Sequence, residues 1–110
     1  MKTLSRSDEI LLLTILRLNN DACGITIVQD IENRSGKKIT FGALWVSMDI
    51  LTKKGFINKR LEEPGESGGR KKIYYSVTPE GIAVLEATKE LHKKFWHGMV
   101  PVINEAKSTS

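Results

Sequence analysis

The sequence is poor in the residues from which disulfides, metal centres and membrane spans are built. It has one cysteine, Cys23, and two histidines among 110 residues, too few for an internal disulfide or a four-ligand zinc site of cysteine and histidine. Its longest aliphatic run, Ile10 to Leu13, is far shorter than the about 18 residues of a membrane helix, and no apolar secretory core opens the chain. We therefore expect a cytoplasmic protein that needs no metal or cofactor and contacts no membrane, with Cys23 as a small buried residue.

The sequence also lacks the groupings of side chains that mark common active sites. His92 and His97 are five residues apart, so they lie on different faces of a helix. Glu62 and Glu63 alternate faces of a predicted strand and cannot act as a pair. The glycine-rich segment 65–69 is not followed by the helix that a phosphate-binding loop requires. We therefore expect that the protein is not an enzyme.

The central segment of the sequence is rich in basic residues. With 40% hydrophobic and 27% charged residues, the chain has the composition of one globular domain. Its net charge is +4, but residues 34–72 carry ten basic side chains against four acidic ones, a local net of +6. Such a segment is typical of a polyanion-binding protein, although a solvated lysine-rich surface would have the same composition.

Capping residues and apolar spacing predict three helices in the first half of the chain. The first begins after the segment Ser5-Arg6-Ser7, in which a serine is the cap, and ends near Leu18. Its apolar residues cover more than one stripe, which indicates two buried sides and hence a partner subunit. The second spans 24–33. The third spans 41–54, begins after Thr40 and ends before a glycine.

The second half predicts a β-hairpin and a long last helix. The strands are 56–61 and 72–77, joined by the glycine-rich loop 64–69. Thr78 and Pro79 start the last helix, and Pro101 is expected to kink or end it. The predicted division is a winged helix-turn-helix domain with its N-terminal helix over 1–78, a C-terminal dimerisation helix over 79–103 and a disordered tail over 104–110.

Helices two and three followed by a hairpin form a winged helix-turn-helix, in a fold that is mostly α with a small hairpin. In this fold the later helix enters the major groove of DNA. Lysines would then meet phosphate before this helix and on the returning strand of the wing, and small or hydroxyl side chains would face base edges. The predicted DNA-binding residues are Lys37, Lys38, Thr40, Gly42, Ala43, Ser47, Arg70, Lys71 and Lys72.

Five motifs, in this order and spacing, resemble those of the PadR-like transcriptional regulators. They are LTIL at 13–16, GITI at 24–27, GALW at 42–45, LTKKGFI at 51–57 and GGRKKIYYSVTPEG at 68–81, and the similarity covers about residues 8–96. The resemblance implies a bacterial or archaeal regulator, usually a repressor, that binds a near-palindromic operator of double-stranded DNA as a homodimer. The single last helix implies the small subclass of the family.

In that subclass the first and last helices form the dimer, and some members bind aromatic or drug-like effectors at its interface. The residues assigned to the dimer interface are Leu11, Ile15, Leu91, Phe95 and Met99. Trp96 lies where an effector would stack, and a dimer-core tryptophan without ligand is the alternative. For the whole protein, the alternative is a winged-helix adaptor that binds an acidic protein and shows no preference for duplex DNA.

Overall fold

A computed structural model describes residues 2–64, 69 and 71–109, and this part of the chain is mostly helical with one antiparallel hairpin. The elements in chain order are α1 (Arg6–Leu18), a 3-10 turn (Asn19–Asp21), α2 (Gly24–Ser35), α3 (Phe41–Lys53), β1 (Ile57–Glu62), β2 (Lys72–Val77), α4 (Pro79–Trp96) and α5 (Met99–Thr109). The predicted fold class, helices first and then a small wing, is confirmed. Residues 65–68 of the predicted loop 64–69 lie outside the described residues.

Three helices begin at hydroxyl caps, of which the sequence predicts Thr40 and Thr78 by position and, for α1, a serine of the segment Ser5-Arg6-Ser7. The hydroxyl of Ser5 accepts a hydrogen bond from the N–H of Asp8, 3.2 Å away. Thr40 accepts likewise from Ala43 at 3.1 Å, and Thr78 from Gly81 at 3.0 Å. Because each cap satisfies an N–H that has no partner inside the helix, the starts of α1, α3 and α4 are set locally.

The core lies between the three N-terminal helices, the sheet and the first half of α4. α1 contacts α2, β2 and α4, so it is the central element. The most completely buried apolar side chains are Leu12, Ile15, Ile27, Met48, Leu51 and Ile57.

The wing, defined as β1, β2 and the loop between them, is joined to the helices through its strands, since β1 contacts α3 and β2 contacts α1. Ile57 pairs with Val77 at its base, and Lys72 pairs with Glu62 at the outer end of the register. The N–H of Tyr75 donates to the carbonyl of Ala22 at 2.8 Å, which ties β2 to the turn before α2. The wing therefore has a fixed orientation relative to α2 and α3.

The C-terminal helix differs from its prediction in two ways. It breaks at Gly98, whose φ of +73° is a left-handed conformation that favours glycine. Pro101 does not break the helix but lies in the first turn of α5. At that position the missing N–H of proline removes no helical hydrogen bond, so Pro101 is compatible with helix. The prediction of a disordered tail at 104–110 was wrong for residues up to Thr109, since they continue α5.

Candidate nucleic-acid interface

α3 is held by one face and presents the other to solvent. Leu44, Met48 and Leu51 are buried, whereas the opposite face carries Gly42 and Val46. Val46 is 63% exposed, and a side chain added at Gly42 would meet nothing within 4 Å. The N-terminal half of this helix is therefore open on one side. The major groove of DNA is wide enough to admit an α-helix.

Trp45 fixes the orientation of α3. Its ring lies 6.3 Å from that of Tyr75 on β2, at an interplanar angle of 48°. A Cβ added at Gly24 would lie 3.4 Å from the indole, so α2 begins close against α3. Burial, and then the Asp49 carboxylate, raise the pKa of Tyr75 above its ordinary value, so its hydroxyl stays neutral in this contact.

Two lysines precede α3. α2 ends at Gly36, which has a φ of +72° and donates its N–H to the carbonyl of Glu32 at 2.8 Å. The chain then turns through Lys37 and Lys38, both exposed, and reaches the Thr40 cap. No ion pair is found for either lysine among the described residues, which leaves both ammonium groups to meet an anion beside the start of α3.

The wing supplies a second set of basic side chains, partly balanced by acids. Lys59 lines the cleft between α3 and the sheet. Arg60 lies over the ring of Tyr74, 5.2 Å from its centroid, and Lys71 is 3.3 Å from Glu63. Lys72 is exposed on β2. Arg70, which the sequence also predicts to bind DNA, lies outside the described residues.

The structure distributes the predicted residues of α3 over two sides. Gly42 lies on the open face, but Ala43 and Ser47 line a groove that α3 shares with α1 and α2. The open face of α3 also includes Val46, which the sequence-based assignment left out because it favoured small and hydroxyl residues. Its position four residues after Gly42 was the available signal, since such residues share a helix face.

The predicted dimer residues divide by element. Leu11 and Ile15 are 6% and 1% exposed and belong to the core of a single chain, which corrects their assignment to an interface. On α4 and α5, Leu91, Phe95 and Met99 are exposed, Phe95 at 76%. Trp96, assigned to effector binding, is 58% exposed. The apolar residues that α1 leaves exposed are Ile10, Leu13 and Leu16.

No helix within the described residues has the length and apolarity to cross a membrane. Within the same part of the chain, no three histidine, cysteine, aspartate or glutamate side chains are grouped as metal ligands would be.

Comparison with known proteins identifies the family. A model of the transcriptional regulator PadR-like family matches residues 12–87, whereas a search of curated proteins gives no match. A PadR family transcription regulator from Clostridium difficile R20291 is 26% identical, with a TM-score of 0.64 over 89% of this chain and 95% of that one. A transcriptional regulator from Clostridium thermocellum is also 26% identical, with a TM-score of 0.65 over 84% of this chain and 91% of that one.

A third structure, Bacillus subtilis PadR in complex with operator DNA, shares the fold. It is 23% identical, with a TM-score of 0.61 over 74% of this chain and 46% of that one. The matched family consists of transcriptional regulators, which confirms the prediction that the protein is not an enzyme. The family model spans well over half of the sequence, and the chain therefore belongs to the PadR-like family of transcriptional regulators.

Proposed function

We propose that the protein is a sequence-specific DNA-binding repressor that acts as a homodimer. The observation that carries the proposal is the open face of α3, on which Val46 is 63% exposed. Lys37 and Lys38 precede this helix, and the basic wing follows it. An exposed helix flanked by cations fits the major groove, with the lysines at phosphates on either side. The structure of Bacillus subtilis PadR with operator DNA supports the same use of this fold.

A homodimer gives the operator its form. Two chains related by a two-fold axis place their α3 helices in successive major grooves about 34 Å apart, so the operator is an inverted repeat with that spacing. The exposed apolar residues of α1, α4 and α5 supply the dimer contact. A repressor of this kind occupies its operator and blocks access to the DNA beneath it.

An effector would act through the same dimer. Trp96 is exposed in the single chain and offers an indole on which an aromatic, drug-like compound can stack. Such a compound releases the operator only to the extent that it prefers another arrangement of the two subunits. Quenching of Trp96 fluorescence that is lost in Trp96→Phe would identify the site.

Selection from a randomised duplex pool at about physiological salt, with light scattering of the free protein, tests the proposal. We expect a dimer that enriches an inverted repeat. If about 6 to 10 phosphates are contacted, affinity falls by about 10³ to 10⁵ between 50 and 200 mM salt. If no sequence is enriched and bulk DNA binding is independent of salt, the regulator proposal is wrong and the adaptor alternative takes its place.

The lysines before α3 have their own test. Lys38→Ala is expected to weaken binding to specific and nonspecific duplexes alike. The slope of log affinity against log salt concentration should decrease in magnitude by about one for each subunit, because each lysine removed eliminates about one phosphate contact. Lys89→Ala is the matched control, an exposed lysine on α4 away from α3. Equal slopes for the two variants would exclude Lys38 from the DNA contact.

A further inference from the structure

The open face of α3 is unusual for a base-reading helix because it has no long polar side chain. Residues 40–52 include no arginine, lysine, asparagine or glutamine, the side chains that make paired hydrogen bonds with guanine or adenine. The first three turns of the helix therefore cannot read these bases in the usual way. Any specificity from this part of α3 depends on the side chains that remain.

Two of the polar side chains in this stretch are already engaged. The Thr40 hydroxyl accepts the N–H of Ala43 as the helix cap, and the Asp49 carboxylate lies 3.0 Å from the ammonium group of Lys53. Ser47 is half-buried and lines the groove shared with α1 and α2. None of these three is the outermost group on the N-terminal half of the open face.

Val46 is that outermost group. It is the most exposed large apolar residue of α3, at 63%, against 47% for Phe41 and 42% for Trp45. Gly42, one turn earlier on the same face, has open space above it, so the backbone of this turn can approach a base edge closely. An isopropyl group presented in this way matches one apolar feature of the major groove, the 5-methyl group of thymine.

We propose that Val46 reads the 5-methyl group of a thymine in each operator half-site. The inference rests on the proposed DNA-binding function and adds the base that the helix selects. The occupant of this apolar surface is therefore duplex DNA, since Lys59 lines the same cleft as Val46 and the exposed Lys37 and Lys38 precede the helix. An uncharged protein surface would gain nothing from those lysines.

The test replaces thymines of the enriched operator by deoxyuridine, one symmetric pair at a time, and measures the affinity of the intact dimer. Deoxyuridine keeps every hydrogen-bonding group of thymine and lacks only the methyl group. Burial of one such carbon is worth about a fourfold change in affinity, so we expect a loss of about fifteenfold when both half-sites are substituted. The loss should occur at one thymine position per half-site.

The affinity of the Val46→Ala variant for the same thymine and deoxyuridine duplexes is measured next. This variant should bind the thymine operator more weakly than the native protein, and it should no longer distinguish thymine from uracil at that position. Ile25→Ala, which shortens an aliphatic side chain of similar exposure on α2, should retain the discrimination. Circular dichroism of both variants checks that the helices remain folded.

The outcomes separate the two proposals. If an operator is enriched but every thymine can be replaced without loss, or if Val46→Ala discriminates as well as the native protein, the assignment of Val46 is wrong and the regulator function stands. If the selection enriches no operator, both proposals fail together.

Discussion

Asp30 connects two helices through a pair of arginines. Its carboxylate lies 2.7 Å from Nη2 of Arg17 on α1 and 3.2 Å from Nε of Arg34 on α2. The hydrogen bond from Arg17 has the largest effect and holds the pKa of Asp30 below its ordinary value. Burial opposes it, and the charge of Arg17 together with the hydrogen bond and charge of Arg34 adds to the lowering. The ionised form is thus favoured in the folded chain.

Asp30→Asn should lower the free energy of unfolding at neutral pH by about 1 kcal/mol, a value for a partly exposed ion pair. Since the folded-state pKa is depressed, this stabilisation is complete above the unfolded-state value of about 4 and is lost as the pH falls through the folded-state pKa. Urea unfolding at neutral and acid pH measures it. Asp49→Asn, which breaks an exposed pair within one helix, is the control. A difference between native and Asp30→Asn proteins that persists at low pH would contradict the assignment.

At the residue scale, the sequence predicts contacts made within a helix better than contacts between helices. The spacing of Asp30 and Arg34 indicates an i, i+4 pair directly. Arg17, thirteen residues away, has no such signal, since its position depends on how α1 packs on α2. Leu11 and Ile15 show the same limit, because an apolar pattern around α1 does not say which side faces the core.

At the scale of elements, the junction between wing and α4 depends on one glycine. A Cβ added at Gly81 would lie 2.2 Å from the carbonyl oxygen of Phe56. The same carbonyl accepts the N–H of Thr78 at 3.0 Å, and the Thr78 hydroxyl donates to the carbonyl of Gly55 at 2.6 Å. α4 therefore packs directly on backbone, which cannot move without loss of these hydrogen bonds.

Gly81→Ala should destabilise the fold by about 3 kcal/mol, the upper part of the range for overpacked sites, because the clash is with backbone. Gly42→Ala makes the same change in a helix where nothing lies within 4 Å, and it should leave stability equal or raise it by about 0.5 to 1 kcal/mol. Thermal melts of both variants measure the difference. Similar melting temperatures would mean that α4 does not pack on Phe56 as described.

The boundaries of elements could be predicted where a local signal sets them. Thr40 and Thr78 cap their helices as expected, and a serine caps α1 as expected, with Ser5 in that place, because capping involves only residues a few positions apart. The last helix was less predictable, since Gly98 and Pro101 both carry signals for a break. Only Gly98 adopts a left-handed conformation, whereas proline is compatible with the first turn of a helix that begins at Met99.

At the scale of the molecule, the single chain is more extended than its length requires. Its radius of gyration is 17.4 Å and its longest dimension 63 Å, against about 13 Å for the radius of gyration of a compact chain of this size. The accessible surface of 8077 Å² exceeds the about 6,100 Å² expected for the mass. The excess, about 2,000 Å² for one chain, is more than twice the about 800 Å² that each partner contributes to a standard interface and falls within the about 1,000 to 2,500 Å² per subunit of obligate homodimers. The C-terminal arm of α4 and α5 carries exposed apolar residues that such an interface would bury.

Phe95→Ala tests whether this arm forms the proposed dimer. Phe95 is 76% exposed in the single chain, so its truncation should leave the fold of each subunit nearly unchanged. If each dimer buries two such rings, the loss is about 3 kcal/mol or more, which raises the dimer dissociation constant by about a hundredfold or more. Sedimentation at several concentrations measures the constant, with Leu61→Ala, an exposed residue of the wing, as the control. A dimer that is equally stable in both variants would place the interface elsewhere, and operator affinity should then be insensitive to Phe95 as well.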